Sequence, residues 1–306
     1  VELLAPGLAE IHDRTGVPTF GVIPWMEGID LDAEDSVALS RLGSAPARDS
    51  DIIDVAVVCF PRISNFTDID ALALEPQVHV RLVNRPDVLG DPDLIVLPGT
   101  KTTISDLGWM RENGLAEAIE RVRHRSSVLG ICGGYQMLGR HIEDAARIES
   151  RSGSVNGLSL MPLTTTFHNK KIVARRKGTA ALVGSSHVVE GYEIHHGITL
   201  ADAGDDRSVD PWIVLDGEEV AGYAHPHSGL FATSLHGLFE NDGFRHAFLA
   251  QVAARRSKTL GTSDVSFAAA REQQIDRLAD AIEEHIDLSA LFEVIRSARS
   301  SEFARR

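Results

Sequence analysis

Cysteine is nearly absent from this chain: its 306 residues include two, Cys59 and Cys132, far apart in sequence. Two such residues cannot build a disulfide framework, which excludes the small stapled secreted scaffolds and points to a reducing cytoplasm. Positive charge is also in short supply, with 30 Lys and Arg against 44 Asp and Glu and a formal charge of −14. An acid excess of that size repels phosphate backbones and anionic lipid, so neither nucleic acid nor a membrane surface is expected as a partner; locally basic pockets remain compatible with it. No apolar run approaches the ~20 residues of a membrane-spanning helix, and no charged-then-apolar leader opens the chain. Internal repeats and low-complexity tracts are missing as well. There is no initiator Met, and "VELLAPGLAE" starts inside a helical pattern, so we expect these residues to begin partway through a longer protein.

What is present is apolar material, 43% of the chain, enough for one large core or for one domain and part of a second. Leu4, Leu8 and Ile11 predict a first helix, and "GVPTFGVIPW" (16–25) predicts a buried strand after it. The small, polar, Pro-containing stretch 41–50 reads as a linker. Beyond it, "DIIDVAVVCF", "HVRLV", "DLIVLPG" and "SSVLGI" are continuous apolar runs of the kind parallel strands show when both sheet faces are covered. Helical segments such as 113–123 lie between them, which predicts an α/β fold with a doubly wound, mostly parallel sheet. From about 160 to 232 the short Thr- and Val-rich pieces "MPLTTTF", "KIVARR", "TAALVG" and "WIVLDG" predict an antiparallel edge. The tail places Ile275, Leu278, Ile282 and Ile286 on one helical face, predicting packed C-terminal helices.

The chemistry-bearing stretch is "VLGICGGYQMLG" (128–139): an apolar strand, Cys132, two glycines, then a helical pattern. A nucleophile at such a turn stands at the carboxyl edge of the sheet, where open α/β folds bind ligands. The helix that follows aims its N–H groups at the sulfur, which lowers a thiol pKa and can hold an oxyanion. The competing reading is a small buried apolar residue beside a helix start, and the local pattern leaves both open. Cys59, inside "VAVVCF" and without polar company, reads as core.

A cysteine nucleophile needs a base, and "SLHGLFEND" delivers His236 from the end of an apolar stretch. His195 and His196 in "GYEIHHG" and His225 and His227 in "AHPHSG" are further candidates. No Cys or carboxylate joins these pairs at zinc-ligand spacing, so no metal is expected. The stretch "LPGTKTT" (97–103) fails the Walker spacing, because Thr100 rather than Gly precedes Lys101; it reads as a strand-ending turn with exposed N–H groups.

Together these stretches resemble the class I glutamine amidotransferases. Their Gly-x-Cys-x-Gly-x-Gln signature is filled by Gly130, Cys132, Gly134 and Gln136. "LPGTKTTISDL", "GICGGYQMLG", "GYEIHHG" and "HGLFEND" are similar, in order and spacing, to the branch that includes the cobyric and cobyrinic acid a,c-diamide synthases. "PRISNFTDIDAL" (61–72) and "LDAEDSVAL" (31–39) narrow the resemblance to the cobyric acid type, over nearly the whole chain and most weakly over the last ~50 residues. It implies that Cys132 attacks the side-chain amide of glutamine with His236 as acid and base. The N–H of Gly133 and one near Gly99 would form the oxyanion hole, and Gln136 would help hold the substrate. Many relatives carry a glutamate two residues after the histidine; Leu238 stands there, leaving Glu240 and Glu193 as weak candidates and a Cys-His dyad as the working expectation.

The resemblance further implies three parts: 1–48 as the tail of an ATP-dependent synthetase domain plus linker, 51–255 as the amidotransferase domain, and 256–306 as a helical extension. No cofactor is expected within these residues. ATP and Mg²⁺, and a corrinoid substrate, are implied for the synthetase domain, whose Walker sequence this chain lacks. Two other readings compete: an amidotransferase subunit feeding a different ligase, as in peptidoglycan lipid amidation, and a catalytically silent docking module.

Overall fold

The computed structural model describes residues 2–29, 43–47, 49, 51–65, 67–202 and 209–303. The stretch 31–39 that contributed to the resemblance lies outside the described residues, as do most of the 41–50 linker and Phe66. The chain forms two compact units, one from Val1–Leu31 with Ala268–Arg306 and one from Asp32–Phe267.

In the first unit, α1 (Ala5–Thr15) ends at Gly16 in a left-handed C-cap and buries none of its residues. No strand forms over 16–25; the segment makes one bridge, Gly21 to Ile286, and Phe20 O accepts a hydrogen bond from Asp287 N. Pro18 and Pro24 remove the donors a ladder would use, and among the described residues no second strand stands beside the segment. Trp25 accordingly stays 79% exposed. The tail forms two helices, numbered below, and the expected apolar stripe is only partly used: Ile275 is 44% exposed, and Ile286 lies past a helix end.

The second unit is built on one mixed sheet. Its parallel half consists of β1 (Ile53–Val58), β2 (Val78–Val83), β3 (Leu94–Leu97), β4 (Ser127–Ile131) and β11 (Leu230–Thr233), in the order β2-β1-β3-β4-β11. Alternation splits these strands cleanly between two cores. Ile53, Val55, Val57, Leu94, Val96, Leu129 and Ile131 face one layer with α2 (Thr67–Ala73) and the aromatics of α6 (Asp242–Arg255). Ala56, Val58, Ile95, Leu97 and Val128 face the other, with α3 (Thr103–Glu112), α4 (Leu115–Val122) and α5 (Gly133–Leu138). Both faces being covered is why these strands read as unbroken apolar runs.

The sheet continues through β10 (Val220–His225) and β9 (Asp210–Leu215), both antiparallel, to the long β7 (Leu163–Leu182). Short β5 (His141–Glu143) and β6 (Val155–Asn156) follow at the edge, and β8 (Ser185–Ala201) pairs with β7. The three short strands expected from 161–184 are thus one 20-residue strand with a register shift between Phe167 and Ile172. That irregularity, and a burial pattern that alternates only in part, make one strand look like several in sequence. Cys59 lies just past β1 and is half-buried against the core rather than within it. The C-terminal helices are α7 (Phe267–His285) and α8 (Leu288–Phe303). Among the described residues no helix is long and apolar enough to cross a membrane.

The close seam of this fold is where α5 leaves β4. A Cβ at Gly134 would run into the backbone carbonyl of Leu97 on β3. Gly134→Ala is therefore expected to cost about 3 kcal/mol of stability, since neither backbone can retreat without opening the sheet. A urea-unfolding midpoint equal to wild type would contradict this packing.

Candidate active site

Four loops meet at the carboxyl ends of the parallel strands. The loops after β1 and β3 are joined to each other: Ser64 N donates to Gly99 O at 2.9 Å, Lys101 N to Arg62 O at 3.0 Å, and Ile63 bridges Thr100. The turn after β4 carries Cys132, whose N donates to Thr233 O of β11 at 2.8 Å. The segment after β11 carries His236. Strand order reverses around β1, and such reversals are where open α/β sheets bind ligands.

Cys132 occupies φ 51, ψ −105, a strained conformation for a residue with a side chain. Its neighbours permit it: Gly133 lies so close under the 99–103 loop that a Cβ there would come within 2.7 Å of Thr100 Cγ2 and 3.2 Å of Thr100 N. The N–H groups expected to line an oxyanion hole, at Gly133 and beside Gly99, therefore belong to segments in direct contact. Gly99 itself is required by the histidine, because a Cβ would stand 2.8 Å from His236 Cε1. Gln136 is buried, its Oε1 accepting from Thr103 Oγ1 at 3.0 Å, with its amide nitrogen facing Gly197.

β8 arches over both candidate catalytic residues. Tyr192 exchanges two backbone hydrogen bonds with His236, at 3.0 and 2.9 Å, and stacks on its ring with centroids 5.3 Å apart. Two residues further along the strand, Ile194 O lies 3.9 Å from Cys132 Sγ. Strand geometry separates such positions by ~7 Å, so the sulfur and the imidazole occupy one neighbourhood.

The electrostatics depart from the helix-dipole expectation. Cys132 is buried rather than exposed, and burial pushes its thiol up to about 12; Glu193 adds to the rise, while the Gly133 N–H and the charge of Lys171 oppose it. The six-residue helix α5 does not outweigh that desolvation. His236 is fully buried, and burial together with the charge of His195 holds its ring down at about 4, with Glu193 opposing. The resting pair is thus a neutral thiol and a neutral imidazole, the latter in the form that can accept a proton.

The other candidates are committed elsewhere. His195 bonds Gly197 O through Nδ1 at 2.6 Å and Glu193 through Nε2 at 3.2 Å. Glu193 also receives Ser234 Oγ at 2.7 Å and Arg176 Nε at 2.8 Å; burial pushes its carboxyl up, but these hydrogen bonds outweigh it and hold it at about 2. Leu238 is buried in the core and Glu240 lies beside Gly237. His196 bonds His168 O, and His225 and His227 sit before β11, at the opposite end of the sheet from the Cys132 turn.

Two residues that did not stand out in the sequence do so here. Asn65, at φ 60, places its Nδ2 3.4 Å from His236 Nε2. Asp68, at the start of α2, is buried, with Oδ2 3.9 Å from His236 Nδ1. Both lie in the "PRISNFTDIDAL" stretch, between a buried strand and the helix that follows it; polar side chains in a segment leaving the carboxyl end of a strand were the available signal.

Residues 54–244 match the CobB/CobQ-like glutamine amidotransferase domain. The cobyric acid synthase of Streptomyces coelicolor is 46% identical over 305 residues, covering 97% of this chain and 57% of that protein. The cobyric acid synthase of Geobacillus sp. strain WCH70 is 42% identical over 295 residues, 95% of this chain and 57% of that protein. The chain thus spans somewhat more than half the length of the curated relatives it matches. Among solved structures, a glutamine amidotransferase superposes with a TM-score of 0.51 at 15% identity, over 65% of this chain and 98% of that one, which shows the shared fold.

The neutral thiol has a direct readout. Alkylation of Cys132 by iodoacetamide, followed by mass spectrometry, is expected to keep accelerating beyond pH 9. A rate already level at pH 6–7 would mean that a thiolate exists at rest.

Proposed function

The chain belongs to the CobB/CobQ-like glutamine amidotransferase family, and we propose that Cys132 and His236 carry out glutamine hydrolysis on behalf of a cobyric acid-forming ligase. The observation that supports this most directly is the strained Cys132 turn, pressed against the 99–103 loop with a buried, neutral His236 packed on Gly99. In this reading Sγ attacks the side-chain amide carbon of glutamine while His236 Nε2 takes the thiol proton, and the carbonyl electrons move onto oxygen. The N–H groups of Gly133 and Thr100 receive that oxyanion. Collapse breaks the C–N bond as His236 passes its proton to the leaving nitrogen, giving ammonia and a γ-glutamyl thioester. Water then attacks the thioester with His236 as base and releases glutamate. The buried Gln136, tied to Thr103, is the group we assign to shaping the glutamine pocket.

The ammonia would be used in ATP-dependent amidation of the peripheral carboxylates of adenosylcobyrinic acid a,c-diamide, at a synthetase site with Mg²⁺. Keeping it from bulk water until then preserves its free lone pair. We assign residues 1–48 to the tail of that synthetase domain with its linker, 51–255 to the amidotransferase domain and 256–306 to a helical extension. The relatives named above are cobyric acid synthases, which favours this ligase over one that amidates peptidoglycan lipid. Cytoplasmic placement follows from the same assignment.

Cys132→Ala is expected to lower glutamate release from glutamine by at least ~10³-fold. His236→Ala is expected to slow covalent labelling of Cys132 by an electrophilic glutamine analogue by about 10²-fold or more, read by intact mass. Undiminished turnover in the first variant, or normal labelling in the second, would overturn the role assigned to that residue.

A further inference from the structure

We propose that Asp68 is the positioning residue for His236: its carboxylate keeps the ring proton on Nδ1 and balances the positive charge that the ring acquires when Nε2 takes the proton of Cys132. The proposal rests on the amidotransferase reading above and deepens it; Leu238, two residues after the histidine, is a core residue and offers the ring no carboxylate.

Four observations carry it. The Nδ1 of His236 is buried and has no hydrogen-bond partner among the described residues, and the carboxylate facing it is Asp68, Oδ2 at 3.9 Å. On the far side of the ring, Asn65 presents its Nδ2 to Nε2 at 3.4 Å. An amide nitrogen only donates, so Nε2 is the accepting nitrogen and the single proton of the neutral ring resides on Nδ1, toward Asp68. The aspartate is also tied to the histidine's own segment: Oδ2 accepts from Gly237 N at 3.0 Å and Oδ1 from Phe239 N at 3.1 Å. Arg245, fully buried and paired with Glu75, holds Phe239 O at 2.8 Å from the other side, so the turn after His236 is clamped between the two.

At 3.9 Å the carboxylate stands beyond hydrogen-bond distance and acts on the ring as a nearby charge in a buried setting. An imidazolium in this fully buried place is otherwise balanced only by the oxyanion formed with it and, without a hydrogen bond, by Glu193. Among the described residues, the other titratable groups nearby are Tyr192, stacked on the ring, Glu240, whose charge raises Asp68, and Glu193 and His195, which act on the ring from β8. Glu193 is held by Arg176, Ser234 and His195 and is not bonded to His236.

The direction of the pH effect follows. Burial, augmented by Glu240, pushes Asp68 up to about 7 against its backbone hydrogen bonds. Activity that needs the carboxylate is therefore present above pH 7 and is lost as pH falls through about 7, well above the value of about 4 at which His236 itself takes a proton.

The test is the pH profile of glutamine hydrolysis by wild type, Cys132→Ala and Asp68→Asn, which keeps shape and one acceptor oxygen while removing the charge. The expected result is a wild-type acid limb near pH 7, and in Asp68→Asn a kcat lowered about 10²-fold, a KM changed less than about threefold, and no limb. Asp68→Asn matching wild type in rate and limb, while Cys132→Ala is dead, overturns the role of Asp68 and leaves the amidotransferase reading intact. Wild type no more active than Cys132→Ala overturns both. Should Asp68→Asn fail to fold, ¹⁵N spectra of histidine-labelled wild type decide: a resting proton on Nδ1 of His236 supports the assignment, and one on Nε2 overturns it.

Discussion

The backbone at Cys132 is the constraint on which the site depends. Its φ of 51 and ψ of −105 are tolerated only because β4 enters the turn and α5 leaves it at fixed positions, both held by close backbone packing. The packing needs residues without Cβ atoms on the helix side, where Gly134 touches the Leu97 carbonyl. Strain of this kind costs ~1–3 kcal/mol and persists where surrounding structure over-determines it. Here that structure is the parallel half of the sheet with its two apolar layers, so the stability of the whole unit holds one sulfur in place.

Burial has a second effect. The tight turn takes the thiol out of water, and the same edge takes the imidazole out of water, which leaves both groups neutral at rest. A thiolate waiting in solvent would be open to oxidation and to adventitious electrophiles. In the reading proposed above, the neutral pair becomes reactive when the thiol proton moves to the ring, as the side-chain amide of glutamine brings the carbon that Sγ attacks and the oxygen that the backbone N–H groups receive. The polar groups around the ring, Asn65 at one nitrogen and Asp68 facing the other, fit that demand for direction rather than for charge at rest.

How much was legible depended on how local the cause was. The strands β1, β3 and β4 read correctly because each is buried on both faces, and that condition writes a largely apolar run into the sequence, whereas β2, at the end of the strand order, is only partly buried. "GVPTFGVIPW" has a similar run but two prolines and, among the described residues, no neighbouring strand, so apolarity alone misled. The 20-residue β7 looked like several strands because its pairing slips within 167–172. At Cys132 the helix N-terminus favours the thiolate but desolvation outweighs it, and the size of that desolvation is not written in the sequence.

The sequence by itself determined the doubly wound core, the Gly-flanked cysteine at a strand-to-helix turn, and the order of motifs that ties Cys132 to His236, because strand period, turn chemistry and short signatures are properties of contiguous residues. Only the tertiary structure decided what surrounds the imidazole. Asp68 and His236 are 168 positions apart, and no spacing rule connects them; they meet because β1 and β11 deliver their following segments to the same edge of the sheet. Glu193, nearer in sequence, has its carboxylate turned by β8 toward Arg176, Ser234 and His195. Burial, which sets the protonation of every group in the site, is a sum over all the layers around it and exists only once the chain has folded.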